Sequence, residues 1–343
     1  MIKIRNRYTQ LLIVFALVAV IVSFSGPALA VDDGARAYWK GRDGTWGVSF
    51  QYLRLDINAE DTQEFAPGQY IYPNADTEAN LVIVNLVRHM TLFDRPSLLS
   101  LGIVGGDIDV KANTKVQTQF VPVGIIADVA FNQSASGFGD PFIQLDVNLF
   151  GTPPLKSNVD LLNYEPTLTI DVATMLAFPI GKYDDDKLVN LGQNRWYGRI
   201  ALPIKYHFRA FTPGYMTSLE FTPSIWLFAE NDDFIGQKLE NDPMWQLEGH
   251  LTHDFTSNFF ASIDLLYRGG FQSKIDDVDV GDDLDIGNLG FTLSYQITDN
   301  MAIRTGYSSN VFGDDLDNSM FRLQFVYGWN KATEDAKKLM QGH

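Results

Sequence analysis

Cysteine is absent from this 343-residue chain, which excludes a disulfide framework and any thiolate metal site. Beyond residue 24 there is also no apolar run near the roughly 20 residues that a membrane-spanning helix requires, so an α-helical membrane protein is excluded. Positive charge is scarce: 26 Lys+Arg stand against 42 Asp+Glu, a formal balance of −16. Neutralising phosphates takes a basic face, which argues against nucleic acid as a partner. Enzymatic motifs are missing as well. No serine sits in a nucleophile elbow, and no glycine-rich run resembles a phosphate loop. His89, His207, His250, His253 and His343 show no metal-ligand spacing. No catalytic residue, metal site or cofactor is expected.

What is present begins with a targeting pattern. Lys3, Arg5 and Arg7 give a basic start, apolar residues run from Leu11 to Phe24, and Pro27-Ala28-Leu29-Ala30 supplies the small residues of a cleavage site. An uncleaved anchor is the competing reading, but the run is short for a span. The pattern predicts a signal peptide over residues 1–30, cut after Ala30, and an exported mature chain. Without the three bases of the signal, 23 basic residues face the same 42 acidic ones, a charge near −19.

The dominant period of the mature chain is two. Trp245, Leu247, Gly249, Leu251, His253 and Phe255 alternate with Gln246, Glu248, His250, Thr252 and Asp254. The same holds for Phe259, Ala261, Ile263, Leu265 and Tyr267, and for Phe321, Leu323, Phe325, Tyr327 and Trp329. Neighbours on a strand point to opposite faces, so each segment has one apolar and one polar face. Twelve such segments lie near 45–57, 80–93, 98–105, 137–150, 163–179, 195–210, 215–229, 243–255, 258–269, 284–297, 299–309 and 318–329. The second and third alternate poorly.

The connections alternate long and short, the short ones including Asp94-Arg95-Pro96-Ser97, Thr256-Ser257 and Thr298. Only 151–162 is longer than a tight turn where one is expected. An outer-membrane barrel has long loops outside, short periplasmic turns and an even strand count. A soluble sandwich also alternates apolar and polar faces, but has no reason to sort its loops by parity. Aromatics add two girdles: Trp46, Phe208, Tyr215, Phe255, Phe259, Tyr295 and Trp329 at periplasmic strand ends, and Trp196, Trp245 and Tyr267 at outer ends. The expected fold is all-β: a transmembrane antiparallel up-and-down barrel of about 12 strands over 45–329 in the bacterial outer membrane. A periplasmic N-terminal segment (31–44) precedes it and a periplasmic tail (330–343) follows.

The inferred lumen face is charged in both signs. Its candidates are Asp146, Asp171, Arg195, Arg199, Lys205, Arg209 and Glu220, followed by Glu248, His250, Asp254, Asp264, Arg268, Arg304 and Arg322. Buried charges persist when paired or hydrated, so the lumen is either a polar passage or a salt-bridge network that stiffens the barrel. His250, inward beside Glu248 and Asp254, suggests acid–base work less than a structural role. Residues 119–131 (QFVPVGIIADVAF) are apolar inside what should be a long polar outer loop. Phe120, Val121, Ile125, Ile126 and Phe131 are therefore candidates for a constriction folded into the mouth. A docking patch outside and a simple extension of the strands are the alternatives. Asp276, Asp277, Asp279, Asp282, Asp283 and Asp285, with Asp184, Asp185 and Asp186, invite a calcium reading. They lack EF-hand spacing and read better as solvated loop tips.

Three stretches carry a resemblance. They are Gly34-Ala35-Arg36-Ala37-Tyr38-Trp39, Ser136-Gly137-Phe138-Gly139-Asp140-Pro141, and Phe178-Pro179-Ile180-Gly181-Lys182-Tyr183 running on to Asn190-Leu191-Gly192-Gln193-Asn194-Arg195-Trp196. Together they resemble the outer-membrane family named after the meta pathway of phenol degradation, transporter-like β-barrels. The resemblance implies a barrel that admits hydrophobic or aromatic compounds. The function expected is passive uptake of small hydrophobic or aromatic solutes, with a non-conducting structural or surface-interaction barrel as the alternative. The expected partners are outer-membrane lipid, those solutes and the barrel-assembly machinery.

Overall fold

A computed structural model describes residues 32–59, 63–66, 69–72, 75–118, 124–208, 212–280, 283–313 and 317–331. The signal peptide, Arg209 and most of the C-terminal tail lie outside them. Twelve staves form the wall: β1 (Trp46–Ala59), β2 (Ala75–Leu92), β3 (Arg95–Thr118), β4 (Gly124–Phe138, continued by Phe142–Phe150), β5 (Leu168–Ala177) and β6 (Tyr197–Ala201, continued by Ile204–His207). They continue with β7 (Thr217–Phe228), β8 (Met244–Thr256), β9 (Phe259–Gly270), β10 (Leu284–Thr298), β11 (Met301–Phe312) and β12 (Asp317–Trp329). Each pairs antiparallel with the next, and β12 returns to pair with β1 from Trp46↔Trp329 to Asn58↔Asp317. Closure leaves no unpaired edge at the seam, as hydrocarbon depth demands.

Alternation decides which face meets lipid. On β9, Ile263 is 58% and Leu265 55% exposed while Asp264 between them is 7% exposed. Phe50, Leu219, Phe221, Leu247, Leu251, Phe291 and Phe325 are exposed in the same way on their own staves. An exposed apolar band this continuous, on a closed sheet, has lipid as its solvent. Phe208, Tyr215, Phe255 and Tyr295 stand exposed at one rim, and Trp196 and Trp245 at the other.

Staves β2 and β3 alternate poorly because both of their faces are apolar in part. On β2, Leu81 points inward and is buried while Val82 and Leu86 are exposed. The β2–β3 turn is tighter than the sequence suggested: Phe93 and Asp94 alone make it, with φ of 52° and 57°. Positive φ at both central residues is the two-residue hairpin geometry whose twist matches the flanking strands. Arg95, Pro96 and Ser97 already belong to β3. The long periplasmic connection, 151–167, folds around a short helix α1 (Asn158–Leu162), capped by Ser157 with Asp160 reciprocating.

Candidate functional site: the lumen

The main departure from the sequence reading is inside the barrel. Residues 32–43, expected in the periplasm, run up the lumen, with Ala35 and Tyr38 buried. The reason is electrostatic: the inward face offers more charge than it can pair across the wall, and this segment brings the complement. Arg36 pairs with Asp254 at 2.7 Å, and its backbone N–H donates to Glu220 at 3.0 Å. Trp39 Nε1 donates to Glu220 at 2.9 Å. Arg199 donates to Asp33 at 2.6 Å and Glu248 at 3.0 Å. Lys40 pairs with Asp146 and lies 3.6 Å from Asp171, which also pairs with Lys205. Lys205 Nζ donates in turn to the Tyr38 carbonyl. Arg322 pairs with Asp32. Desolvated charges at this depth hold only when so matched.

The lumen-lining candidates are accordingly inward. Asp146, Asp171, Arg195, Arg199, Lys205, Glu220, Glu248, His250, Asp264 and Arg322 are buried, and Arg268 and Arg304 are half-buried. His250 Nδ1 lies 2.7 Å from Asp264 Oδ1, and Nε2 lies 3.6 Å from Glu248 Oε2. Ser262 and Thr292 also donate to Asp264. The surroundings are those of a bridging imidazole held by carboxylates and hydroxyls. Arg195 has neutral partners, Asn241 Oδ1 at 2.6 Å and Gln193 Oε1 at 3.3 Å, and its guanidinium lies 5.0 Å from the Phe228 ring centre.

The outer half of the lumen is apolar, which the sequence reading did not anticipate. Leu53 and Leu55 of β1, Ala79 and Leu81 of β2, and Val104, Ile108 and Val110 of β3 all point inward. Three outer loops fold down onto them. They supply Leu188, Val189 and Leu191 from 178–196, Phe234 and Leu239 from 229–243, and Ile275 from 271–283. The last two loops also join in a four-stranded sheet built on 231–234, 237–241, 273–275 and 278–280. Poor alternation in β2 and β3 was the signal for this layer, since a stave apolar on both faces has apolar partners on both sides.

These loops occupy the place that the sequence reading gave to residues 119–131. Phe120 and Val121 lie outside the described residues. The backbone of 124–138 instead continues the ladder with β3, pairing Gln117↔Ile125 and Ala112↔Phe131, with Ile126 in the same strand. An apolar, β-branched run next to an equally long strand gains a full set of cross-strand hydrogen bonds by extending the hairpin, and a loop across the mouth would forgo them. Asp184, Asp185 and Asp186 bring carboxylate oxygens within 4.8 Å of one another but are solvent-exposed; Asp282 lies outside the described residues.

The second and third motif stretches meet. Asp140, at the break in β4, accepts from the backbone N–H of Gly181 at 2.8 Å and of Gln193 at 2.8 Å. A Cβ on Gly181 would lie 2.6 Å from the Gly139 carbonyl carbon, and one on Gly192 would lie 2.8 Å from that of Gly181. Only glycine permits backbones to approach this closely. The first motif contributes Arg36, Tyr38 and Trp39 to the lumen segment.

Alongside the N-terminal segment, from Trp46 and Gly328 where β1 starts and β12 ends to Asp140 and Gln193, runs a cavity of about 450 Å³. One wall carries Phe142, Met175, Tyr197, Trp226 and Phe228 of β4–β7, and the facing wall carries Gln51, Asn85, Arg304 and Gln324. A site of that size, apolar with a few convergent polar groups, suits a small organic molecule.

A model of the family described as "Putative MetA-pathway of phenol degradation" matches residues 60–315. Among solved structures, an outer membrane channel from Pseudomonas putida F1 superposes with a TM-score of 0.61 at 16% identity, covering 87% of this chain and 100% of that one. The transport unit of an Escherichia coli autotransporter gives 0.45 at 12% identity, over 90% and 96% of the two chains. A Pseudomonas aeruginosa FadL homologue gives 0.39 at 9% identity, over 82% and 90%. No curated protein matches. At 16% identity the Pseudomonas putida structure speaks for the fold alone, an outer-membrane barrel.

Proposed function

The chain belongs to that family, and from this premise we propose that it admits small hydrophobic or aromatic solutes passively across the outer membrane. The supporting observation is the cavity of about 450 Å³, with its aromatic and thioether wall, inside a closed barrel. A solute leaving the outer leaflet or the medium exchanges water for Phe142, Met175, Trp226 and Phe228, and the burial of its apolar surface draws it in at roughly 25 cal/mol per Å². The segment 32–43 beside the cavity and the loop layer over it narrow the lumen, which disfavours hydrophilic solutes that need a continuous water column.

Flux into liposomes tests this. The reconstituted full chain should pass a small aromatic alcohol and retard a sugar of similar mass, and deletion of residues 32–40 should raise ion conductance severalfold. Equal permeation of sugar and aromatic alcohol would overturn hydrophobic selectivity.

The buried ion pairs that tie the N-terminal segment to β4, β5, β6, β8 and β12 favour a second reading, a non-conducting barrel stiffened by its interior. That reading expects no flux of either solute, and no conductance even without residues 32–40.

A further inference from the structure

The cavity is two-sided in its hydrogen bonding as well as its polarity. Gln324, Gln51 and Arg304 stand in one cross-strand row, Arg304↔Gln324 between β11 and β12 and Gln51↔Gln324 across the seam. All three line the cavity, as does Asn85 of β2. Among the described residues Asn85 Oδ1 and Arg304 Nε are buried without a partner, and the side chains of Gln51 and Gln324 line the cavity beside them. Unpaired polar groups are costly at this depth. Such groups in a polar row along one cavity wall make a receptor surface awaiting a polar partner.

Charge identifies the partner. The other charged groups on the cavity are matched: Asp32 with Arg322, Asp33 with Arg199, Arg36 with Asp254, and Asp140 with two backbone N–H groups. Arg304 is different. Its one hydrogen bond is from Nη1 to the Ala35 carbonyl at 3.4 Å, and no carboxylate lies within 4.0 Å of it among the described residues. Its guanidinium faces the Phe260 ring at 5.7 Å, a contact that leaves its planar fork of donors unfilled. An ammonium group placed there would meet the guanidinium charge. A carboxylate would receive from Arg304 the charge-assisted bonds that no protein group supplies, with Gln324 and Gln51 donating beside it.

We propose that the cavity binds amphiphilic organic monoanions, carboxylates carrying an aromatic or short apolar body. Arg304 receives the head, and Phe142, Met175, Trp226 and Phe228 receive the body. This rests on the reading above that the cavity lies on the solute's path, and it adds the head-group class. The mechanism is one of matching. The apolar wall draws in any hydrophobic solute, and the polar wall discriminates by charge, so neutral aromatics enter and anionic ones are held.

Trp39 and Trp226 line the cavity, so their fluorescence reports occupancy. The full chain in detergent micelles is titrated with 3-phenylpropanoate, 3-phenylpropanamide and 3-phenylpropylamine, with protein-free micelles correcting for partition. The carboxylate is expected to bind at least tenfold more tightly than the amide, and the amine most weakly. Arg304→Gln should bring carboxylate and amide within twofold of each other with amide binding unchanged, and Arg304→Lys should restore part of the preference. Equal binding of acid and amide, tightest binding of the amine, or a preference that survives Arg304→Gln would each overturn the proposal. Should Arg304→Gln fail to fold, Gln324→Leu provides the same reading, with a weaker acid and an unaffected amine expected. Liposome flux of the amide is scored separately. Its failure beside a tenfold acid preference removes the transport reading and leaves the site, and its success beside equal binding removes only the head-group assignment.

Discussion

At the scale of single residues, the same side-chain type has opposite worth on the two faces of one stave. Leu265 faces out on β9, and Arg268 faces in three residues later. Leu265→Arg should destabilise the barrel by about 2–4 kcal/mol, because a guanidinium near the bilayer midplane has neither water nor a partner. Urea unfolding in lipid vesicles measures this, and a shift well under 1 kcal/mol would place Leu265 away from lipid. Lys40 is the inward counterpart. Its ammonium stands between Asp146 and Asp171, both with fully buried side chains. Lys40→Met leaves the buried Asp146 carboxylate without its partner at a cost of about 3–5 kcal/mol, enough to unseat the N-terminal segment. The expected result is rapid protease nicking after Arg36 in the variant and none in the parent. Alternation in the sequence was enough to place the inward charges of the staves named above, since a period of two leaves no choice of face, but it said nothing of Arg36 and Lys40 on the N-terminal segment. It did not show that Lys40 answers Asp146, because residues 106 apart in the chain meet only once the barrel is closed.

At the scale of elements, the break in β4 organises the outer wall. Phe138 and Phe142 flank Gly139-Asp140-Pro141, and the loop 178–196 docks into the gap through Asp140. Asp140→Ala leaves two backbone N–H groups without their acceptor, at about 1–3 kcal/mol each. The variant should lose the folded-form gel mobility at a lower temperature than the parent, and hydrogen exchange at Gly181 and Gln193 should accelerate. Unchanged exchange at both amides would show that the loop is held by packing alone. The sequence set these glycines and Asp140 among the stretches that carry the family resemblance. Their meeting with Gly181 and Gly192 was not legible, because glycine advertises permissiveness without naming its neighbour. The run 119–131 shows the converse: its apolarity was visible, but a hairpin extension and a folded-in loop have the same composition. Strand pairing with β3 chose between them.

At the scale of the whole molecule, closure is testable because the chain holds no cysteine of its own. Ser49 and Val326 are directly opposed across the β1–β12 seam. With cysteine at both, oxidation should produce an intramolecular disulfide in nearly all molecules, seen as a mobility shift reversed by reductant, and predominantly intermolecular cross-links would refute the closed seam. The amino-acid sequence by itself determined the number of staves, their inward and outward faces, the sorting of loops by side and the aromatic rims. Each of these follows from a local rule, the two-residue repeat of a strand set against the sharp boundary between lipid and water. What fills the barrel was decided only by the tertiary structure. The N-terminal segment in the lumen, the three loops folded over Leu53 and Leu81, and the row from Arg304 to Gln51 join residues from opposite ends of the chain. Such contacts depend on charge and volume matching in an enclosed space, and no local pattern encodes that space before the ring shuts.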